Sequence, residues 1–388
     1  MTALCPIDRP PLLAFVVNTD AFFLSHRLPI AVAVRRSGFE VTVIAQETGS
    51  GREIQRNGLR FVPFSFARSR LNPLAEAATV LRLERLYRHL RPDLLHHVTI
   101  KPVIYGSIAA RTVPGTPVVN ALSGLGWTFS RNRRAGLLSL FVRPLFRAAL
   151  RRPRTRTIFQ NPDDRERFLS MGMVVAERAI VIQGSGVDCS RFLPHPEPDG
   201  APIVMLASRM LWDKGVKEFV EAASIVRLQE PNVRFILVGD TDDGNPTAVP
   251  LSKLERWRES EEIEWWGHRS DMPVVMAMAA IVVLPSFHEG LPKVLLEAAA
   301  CARPIVASDV AGCREIVRHG ENGLLVPAGD STLLAEAVLT LIRSPDRRAE
   351  FGRVGRERAV SEFAVETVVE RTLAVYRSLL GSRWPGDP

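Results

Sequence analysis

Short apolar runs alternate with amphipathic stretches along the whole chain. "LLAFVVN", "EVTVIAQ", "DLLHHVT", "PVVNALS" and "TRTIFQN" are rich in β-branched and aromatic residues. They are too short for helices, so the pattern predicts strands. "LRFVPFSF" is a further strand candidate, and "AIVIQGSGVD" reads as a closing strand and turn. Between them, "SHRLPIAVAVRRSG" reads as one amphipathic helix ending at Gly38. Helix-like stretches lie around Asn72–Leu90, and "KPVIYGSIAARTV" and "DRERFLSMG" are predicted helices. "PHPEPDGAP" (Pro194–Pro202), with four prolines and a glycine, is the clearest linker. The alternation then restarts. "IVMLAS", "VRFILVGD", "IEWWGH", "AAIVVLPS", "PIVASD" and "GLLVP" are strands. "KEFVEAASIVRLQ", "SKLERWRES", "DMPVVMAMA", "KVLLEAAACA" and "STLLAEAVLTLIR" are helices, and the chain after Pro345 is helical. Strand and helix recurring in turn predict an α/β fold of two Rossmann-like, doubly wound parallel sheets. No unit is self-similar, which excludes a solenoid. The expected domains are 1–193, a linker at 194–202, 203–365, and a C-terminal helix over 366–388 able to pack back on the first domain.

Composition narrows the class. The 388 residues are 46% hydrophobic and 24% charged, room for two globular domains of about 190 residues each. No apolar run approaches the ~18 residues that span a bilayer. "MTALCPIDRPP" lacks the charged-then-apolar order of a secretory signal. Cys5, Cys189, Cys301 and Cys313 have no metal-ligand spacing, which predicts a reduced, cytoplasmic protein.

The net charge of +8 is unevenly placed. Residues 1–190 hold 27 Lys and Arg against 13 Asp and Glu, a balance of +14, which leaves −6 for the rest. No acidic residue occurs from Leu94 to Pro162, a window containing "RNRRAGLLSLFVRPLFRAALRRPRTR" (Arg131–Arg156) with nine arginines. A solvated basic helix face is one reading. Nucleic-acid binding is disfavoured, because no aromatic-basic motif accompanies the charge. A membrane-surface patch is the third reading, with Arg133, Arg134, Arg151 and Arg152 as cations and Phe141, Leu145 and Phe146 as apolar anchors.

The stretch "SFHEGLPKVLLEAAACARPIVASD" sets Glu289 and Glu297 eight positions apart. Eight helical residues rise about 12 Å, beyond the roughly 5–9.5 Å of hydrolytic carboxylate pairs. Gly290 and Pro292 also break the stretch into strand, loop and helix. Glu289 then falls on the loop at the strand's C-terminal edge and Glu297 inside the helix. Ligands bind at that edge of a parallel sheet, and helix N-termini favour anions. Two carboxylates flanking an anion site suit sugar hydroxyls. In "ASRMLWDKGVKEF", Arg209 and Lys214 lie five apart at another strand–helix junction, an arrangement that suits a diphosphate or ordinary surface charge. Gly239 in "LVGDTDDG" is a further glycine at a strand end. Neither a GxGxxG nor a P-loop pattern is present, so dinucleotide redox and P-loop chemistry are disfavoured. "DTDD" contains an Asp-x-Asp only by letters. His26, His96, His97 and Lys101 are candidates for binding or for structure.

Together Arg209, Lys214, Glu289 and Glu297, with "EGLPKVLLEA", "GENGLLVP" and "VIQGSGVDCSRFLP", resemble the signature of family 4 retaining glycosyltransferases of the GT-B fold. The likeness covers nearly the whole chain and is most specific over 203–330. "FLSHRLPIAVAVRRSGFEVTVIA" and "HHVTIKPVIYGSIAARTVPGTPVVNALSGLG" resemble the subgroup that glycosylates undecaprenyl-diphosphate-linked sugars. The resemblance implies two domains facing across a cleft. It also implies retention of configuration, and transfer from a nucleotide sugar, a UDP-sugar above all, with no metal or other cofactor. Arg209 and Lys214 would bind the donor diphosphate, Glu289 the transferred sugar, Gly290, Leu291 and Pro292 the sugar and phosphate, and Glu297 the ribose. Trp266 and Gly267 lie where the family holds the base. His26, Arg27, His96, Lys101 and Ser123 are the acceptor-side candidates. The implied setting is cytoplasmic, peripherally attached to the inner membrane surface. Where many relatives have a Gly-Gly loop and a "HG", this chain has Ala21-Phe22 and Ser123-Gly124. A soluble acceptor, a sugar-nucleotide epimerase and a non-catalytic sugar-nucleotide module are the alternatives.

Overall fold

The computed structural model describes residues 9–66, 73–123, 143–242 and 244–386. The chain divides into two compact units. One takes the chain up to Ile182 and again from Val369; the other runs Gln183–Val368.

The first unit is built on a parallel sheet. Its strands are β1 (Leu12–Thr19), β2 (Glu40–Gln46), β3 (Arg60–Pro63), β4 (Leu94–Val98), β5 (Val118–Leu122), β6 (Thr155–Phe159) and β7 (Ala179–Val181). They lie in the order β3-β2-β1-β4-β5-β6-β7. Helices cover both faces of such a sheet, which is why these strands read as near-continuous apolar runs. The order reverses between β1 and β4, the position where open α/β sheets bind ligands.

The helix predicted over 25–38 is broken at Arg27, and a helix not anticipated from the sequence precedes the break. The first, α1 (Asp20–His26), begins directly after β1, with Thr19 Oγ accepting from the Phe22 N–H at 3.2 Å. The second, α2 (Leu28–Arg36), has Pro29 in its first turn. Arg27 between them sits at φ −129°, ψ −13°. Pro29 suits the first turn of a new helix and not the interior of a continuing one. The remaining helices of this unit are α3 (Gly51–Arg56), α4 (Pro73–Leu90), α5 (Ile100–Ala109), α6 over 143–150 and α7 (Pro162–Ser170).

A buried carboxylate ties β1 to the loop after β2. Asp20 accepts from the backbone N–H groups of Ala21 (2.8 Å), Thr48 (2.9 Å) and Ser50 (2.8 Å), and from the Thr48 hydroxyl. Burial pushes its pKa up, but these bonds outweigh burial and hold it below the ordinary value. A depressed carboxylate contributes stability that is present above its unfolded pKa and lost as pH falls through the folded one. Asp20→Asn should therefore cost about 1–3 kcal/mol at neutral pH. The gap between variant and wild type should close as pH drops below about 4. Urea unfolding at several pH values checks this; a gap independent of pH would refute it.

The histidine pair on β4 is structural. His97 lies 3.1 Å from Tyr87 Oη and 2.9 Å from Asn120 Oδ1, and burial pushes its pKa down to about 3. Gly106 of α5 packs on that ring: a Cβ there would sit 2.6 Å from His97 Nε2. His96 points to the other face and bonds Tyr376 Oη.

The second unit has the strands β8 (Ile203–Ala207), β9 (Arg234–Val238), β10 (Glu264–Trp265), β11 (Ile281–Leu284), β12 (Ile305–Ser308) and β13 (Gly323–Val326). All are parallel, in the order β10-β9-β8-β11-β12-β13, so the reversal falls between β8 and β11. The helices are α8 (Val216–Arg227), α9 (Leu251–Glu259), α10 (Met272–Met278), α11 (Lys293–Ala300), α12 (Ala311–Ile316), α13 (Ser331–Ile342) and α14 (Pro345–Glu362); α15 (Val365–Leu380) starts in this unit and from Val369 belongs to the first. The short helix α12 was not anticipated from the sequence. The proline-rich stretch Pro194–Pro202 is tied down inside this unit. Arg303 donates to the carbonyls of His195 (3.0 Å) and Pro196 (3.2 Å), and Arg348 pairs with Glu197 at 2.8 Å.

Candidate active site

The second sheet's reversal point carries a polar cluster at that unit's C-terminal edge. Lys214 follows β8, Glu289 follows β11, and their side chains form an ion pair at 2.5 Å. They are only 22% and 10% exposed. The local fold explains the meeting. Gly215 turns the chain with φ +74°, and a Cβ there would stand 2.2 Å from the Pro285 carbonyl oxygen, so only glycine permits the approach. Ser286 Oγ and the Phe287 N–H both donate to the Asp213 carbonyl, at 3.0 Å each. The two loops are thus stitched together beside the pair. Beneath them, a Cβ on Gly312 would meet the carbonyl oxygens of Gly290 (2.6 Å) and Glu289 (2.7 Å).

Arg209 also follows β8 but is 62% exposed on its side chain and pairs with Asp242 at 2.8 Å. Asp242, read from the sequence only as part of "DTDD", is here the partner of a cation. Among the described residues, no group of three or more His, Cys, Asp or Glu side chains could hold a metal ion.

Glu297 lies within α11 and is buried. Lys293, one turn earlier, approaches to 3.4 Å. Burial raises the Glu297 pKa, against the pull of the Lys293 and Arg191 charges. Leu291 is buried and Pro292 precedes the first turn of α11. The edge continues across β9 and β10. Gly239 (φ +130°) donates its N–H to the Gly267 carbonyl at 2.7 Å, and a Cβ on Gly239 would collide with the Ser208 carbonyl oxygen at 1.9 Å. Trp265 Nε1 donates to the Gly239 carbonyl at 2.8 Å, and the His268 N–H to Asp240 at 3.0 Å. Trp266 is half-buried, with Nε1 donating to Glu264 at 3.1 Å and the Arg269 guanidinium 5.9 Å over its ring. The structure therefore gathers Arg209, Lys214, Gly239, Gly267, Glu289 and Gly290 on loops at one sheet edge. It adds Asp242, Ser286 and Gly312, which sequence reading missed. Gly312 lies inside α12, four residues past the end of β12, and only the fold shows which carbonyls it meets.

In the first unit, His26 stacks on Phe22 at 4.0 Å and its Nδ1 lies 2.6 Å from Ser25 Oγ. Arg27 is buried, 3.4 Å from Ser123 Oγ, and burial drags its pKa down to about 10. Lys101 pairs with Glu76 at 3.3 Å. His96 is corrected: it is 1% exposed and bonded to Tyr376, so it belongs to the core and not to an acceptor surface.

The proposed membrane patch is corrected in part. Arg133, Arg134 and Phe141 lie outside the described residues. Phe146 is fully buried, packing edge-on to Phe168 at 5.3 Å, so it is no lipid anchor. Arg152 is spent on the carbonyls of Thr116, Ala110, Val113 and Pro114 at 2.9–3.2 Å. Leu145 and Arg151 are exposed.

Residues 13–161 match the family model described as "Glycosyl transferase 4-like", and residues 201–344 the one described as "Glycosyl transferases group 1". The chain is similar to the Campylobacter jejuni "N,N'-diacetylbacillosaminyl-diphospho-undecaprenol alpha-1,3-N-acetylgalactosaminyltransferase". The two are 26% identical over 378 residues, 94% of this chain and 98% of the relative. It is also similar to "Alpha-maltose-1-phosphate synthase" of Mycolicibacterium smegmatis, 34% identical over 50% of this chain and 56% of the relative. Among solved structures, sucrose-phosphate synthase from Thermosynechococcus elongatus superposes with a TM-score of 0.79 at 19% identity, covering 96% of this chain and all 100% of that one. Anabaena HepE in complex with UDP-glucose superposes with a TM-score of 0.78 at 22% identity, covering 95% of this chain and 99% of the other.

Proposed function

On the premise that this chain belongs to the family 4 glycosyltransferases and has the GT-B fold, we propose that it moves a sugar from a UDP-sugar to a polyprenyl-diphosphate-linked saccharide, with retention of configuration. The transferred group is an N-acetylhexosamine or hexose, and the product enters surface-polysaccharide or glycan assembly. The observation that carries the proposal is the Lys214–Glu289 pair at the reversal point of the second sheet, with Arg209 on the same strand end. A diphosphate gains charge as the glycosyl bond breaks, and preorganised cations stabilise that charge. Lys214 and Arg209 would take this role, and Glu289, beside Lys214, would hold the sugar's hydroxyls. Glu297 would accept from the ribose. Gly290, Leu291 and Pro292 would line the sugar and phosphates, and Gly239, Trp266 and Gly267 the base.

The lipid-linked acceptor is supported by the name of the Campylobacter relative, which matches along 94% of this chain. The UDP-sugar is supported by HepE, whose structure is a complex with UDP-glucose. Arg27, His26, Lys101 and Ser123 remain the acceptor-side candidates. The protein would work at the inner face of the cytoplasmic membrane; no helix among the described residues is long and apolar enough to cross one.

A screen of UDP-, GDP- and ADP-sugars against a short-chain polyprenyl-diphosphate saccharide and the same saccharide without its lipid tests the reading. Product is expected only with a UDP-sugar and the lipid-linked acceptor. Equal rates with the lipid-free saccharide would favour a soluble acceptor. The cations are expected to do a metal's work, so EDTA should leave the rate unchanged. A rate abolished by EDTA and restored by magnesium or manganese would refute the metal-free mechanism.

A further inference from the structure

The outer face of α4 carries one continuous stripe. Leu74, Ala78, Leu81, Arg85 and Arg88 follow one another at spacings of four, three, four and three, so they share one side of the helix. All five are exposed, Leu74 at 81% and Leu81 at 50%. The opposite side is conventional core: Leu83, Tyr87 and Leu90 pack on β1, β4 and β5 through Ala14, Val16, Leu95 and Val118. The stripe is about 21 Å long. It is apolar in its first half and cationic in its second. Solvated helix faces are polar throughout, and large apolar side chains left out on them mark contact surfaces.

The neighbouring helices continue the pattern. Val118 and Leu122 lie on the same face of β5. Leu122 and Phe159 carry α6 through Phe146 and Leu150, with Val103 and Ile104 of α5 in the same cluster. Thus α4, α5 and α6 cover one face of the sheet. Their outer surface adds Arg111, Arg143, Leu145, Arg147 and Arg151, all exposed. Of the acidic groups on α4, Glu76 is engaged by Lys101 at 3.3 Å and Glu84 lies 3.8 Å from Arg88. From Leu94 to Pro162 the chain has none.

We infer that the α4 stripe is a membrane-docking surface, laid on an anionic bilayer with Leu74 and Leu81 in the acyl boundary and Arg85 and Arg88 among the headgroups. The occupant follows from the charge. A cationic row continuous with an acid-free arginine surface fits anionic headgroups, and exposed leucines at its head fit the apolar layer below. This surface has Leu74 and Leu81 as its apolar anchors, not the Phe146 of the sequence-read patch, which faces the core; of that patch it shares only the exposed Leu145 and Arg151. It rests on the reading that the acceptor is lipid-borne.

The test is cosedimentation of the full chain with phosphatidylcholine–phosphatidylglycerol vesicles. Wild type is expected to bind these and to leave neutral phosphatidylcholine vesicles unbound. Leu74→Glu with Leu81→Glu should lower the partition coefficient at least about tenfold, two leucines being worth more than this when buried. Arg85→Ser with Arg88→Ser should lower it less and remove much of the salt dependence. UDP binding should be unchanged in both and the melting temperature nearly so, since these side chains are exposed and the Arg88–Glu84 contact is a surface pair. Wild-type binding with an unaffected leucine variant would overturn the assignment while leaving lipid attachment in place. No wild-type binding would overturn both it and the peripheral location. A wild type that dimerises through these leucines and ignores vesicles would make the face a protein interface instead. Transfer to a detergent-dispersed acceptor, measured alongside, reports on the glycosyltransferase reading independently.

Discussion

Lys214→Ala should lower kcat about 10²–10³-fold, the loss typical when one preorganised group facing developing charge is removed. Lys214 is held on a loop whose geometry depends on Gly215 and on two bonds to the Asp213 carbonyl. Its ammonium is therefore in place before the donor arrives and costs no reorganisation during the reaction. Arg209, more exposed and paired with Asp242, should matter less. The variant also leaves Glu289 half-sheltered without its cation, so a modest drop in stability is expected. That drop must be separated from the chemistry. Lys214→Arg keeps the charge and should restore part of the rate. Glu289→Gln removes the ion pair yet keeps Lys214, and should recover stability better than rate. Initial rates with saturating donor, read beside thermal melts, distinguish the effects. A Lys214→Ala protein that melts like wild type and turns over within tenfold of it would show that this cation does not stabilise the departing diphosphate.

The strands were legible because parallel strands buried on both faces must be apolar throughout. "LLAFVVN" and "AAIVVLPS" have no other stable use at that length. The strand–loop–helix placement of Glu289 and Glu297 was equally legible, since Gly290 and Pro292 punctuate it. Tertiary detail was not. Periodicity alone carries a helix through Arg27, because the break is set by the Thr19 cap and by Pro29 acting together. The arginine-rich stretch misled for a related reason. Its composition suggests a surface, yet Phe146 and Leu150 are one turn apart and form the inward side of α6. Arg152 looked like a free cation, but its partners are four carbonyls brought there by the β5 connection. Asp242 and Gly312 gain meaning only from Arg209 and Glu289, which the fold supplies from far along the chain. His96 and His97 could not be told from binding groups until Tyr376 and Tyr87 were seen against them.

Glu297→Ala should weaken UDP binding by about 10- to 150-fold, because a hydrogen bond to a charged acceptor is worth about 1.5–3 kcal/mol. The side chain is suited to such a bond. It is buried, and burial raises its pKa, so the ionised form is held at a cost that a ribose diol could offset by donating to it. The penalty is present above the folded pKa, so removing the carboxylate at neutral pH should leave stability equal or higher. Lys293, about a third exposed on its side chain, can turn to solvent. A loss of affinity without a loss of stability is therefore the signature of a ligand-binding carboxylate here. Glu297→Gln, which keeps an acceptor oxygen, should lose less. In the wild type, affinity should fall on acidification at a higher pH than for an ordinary glutamate, and this dependence should vanish in Glu297→Gln. Isothermal titration with UDP across pH 5–8, beside titration with the free base uracil as a ligand lacking ribose, reads all of this. Unchanged UDP affinity in Glu297→Ala, or a drop matched by a lower melting temperature, would make Glu297 a packing residue of α11 and leave the ribose without an assigned partner.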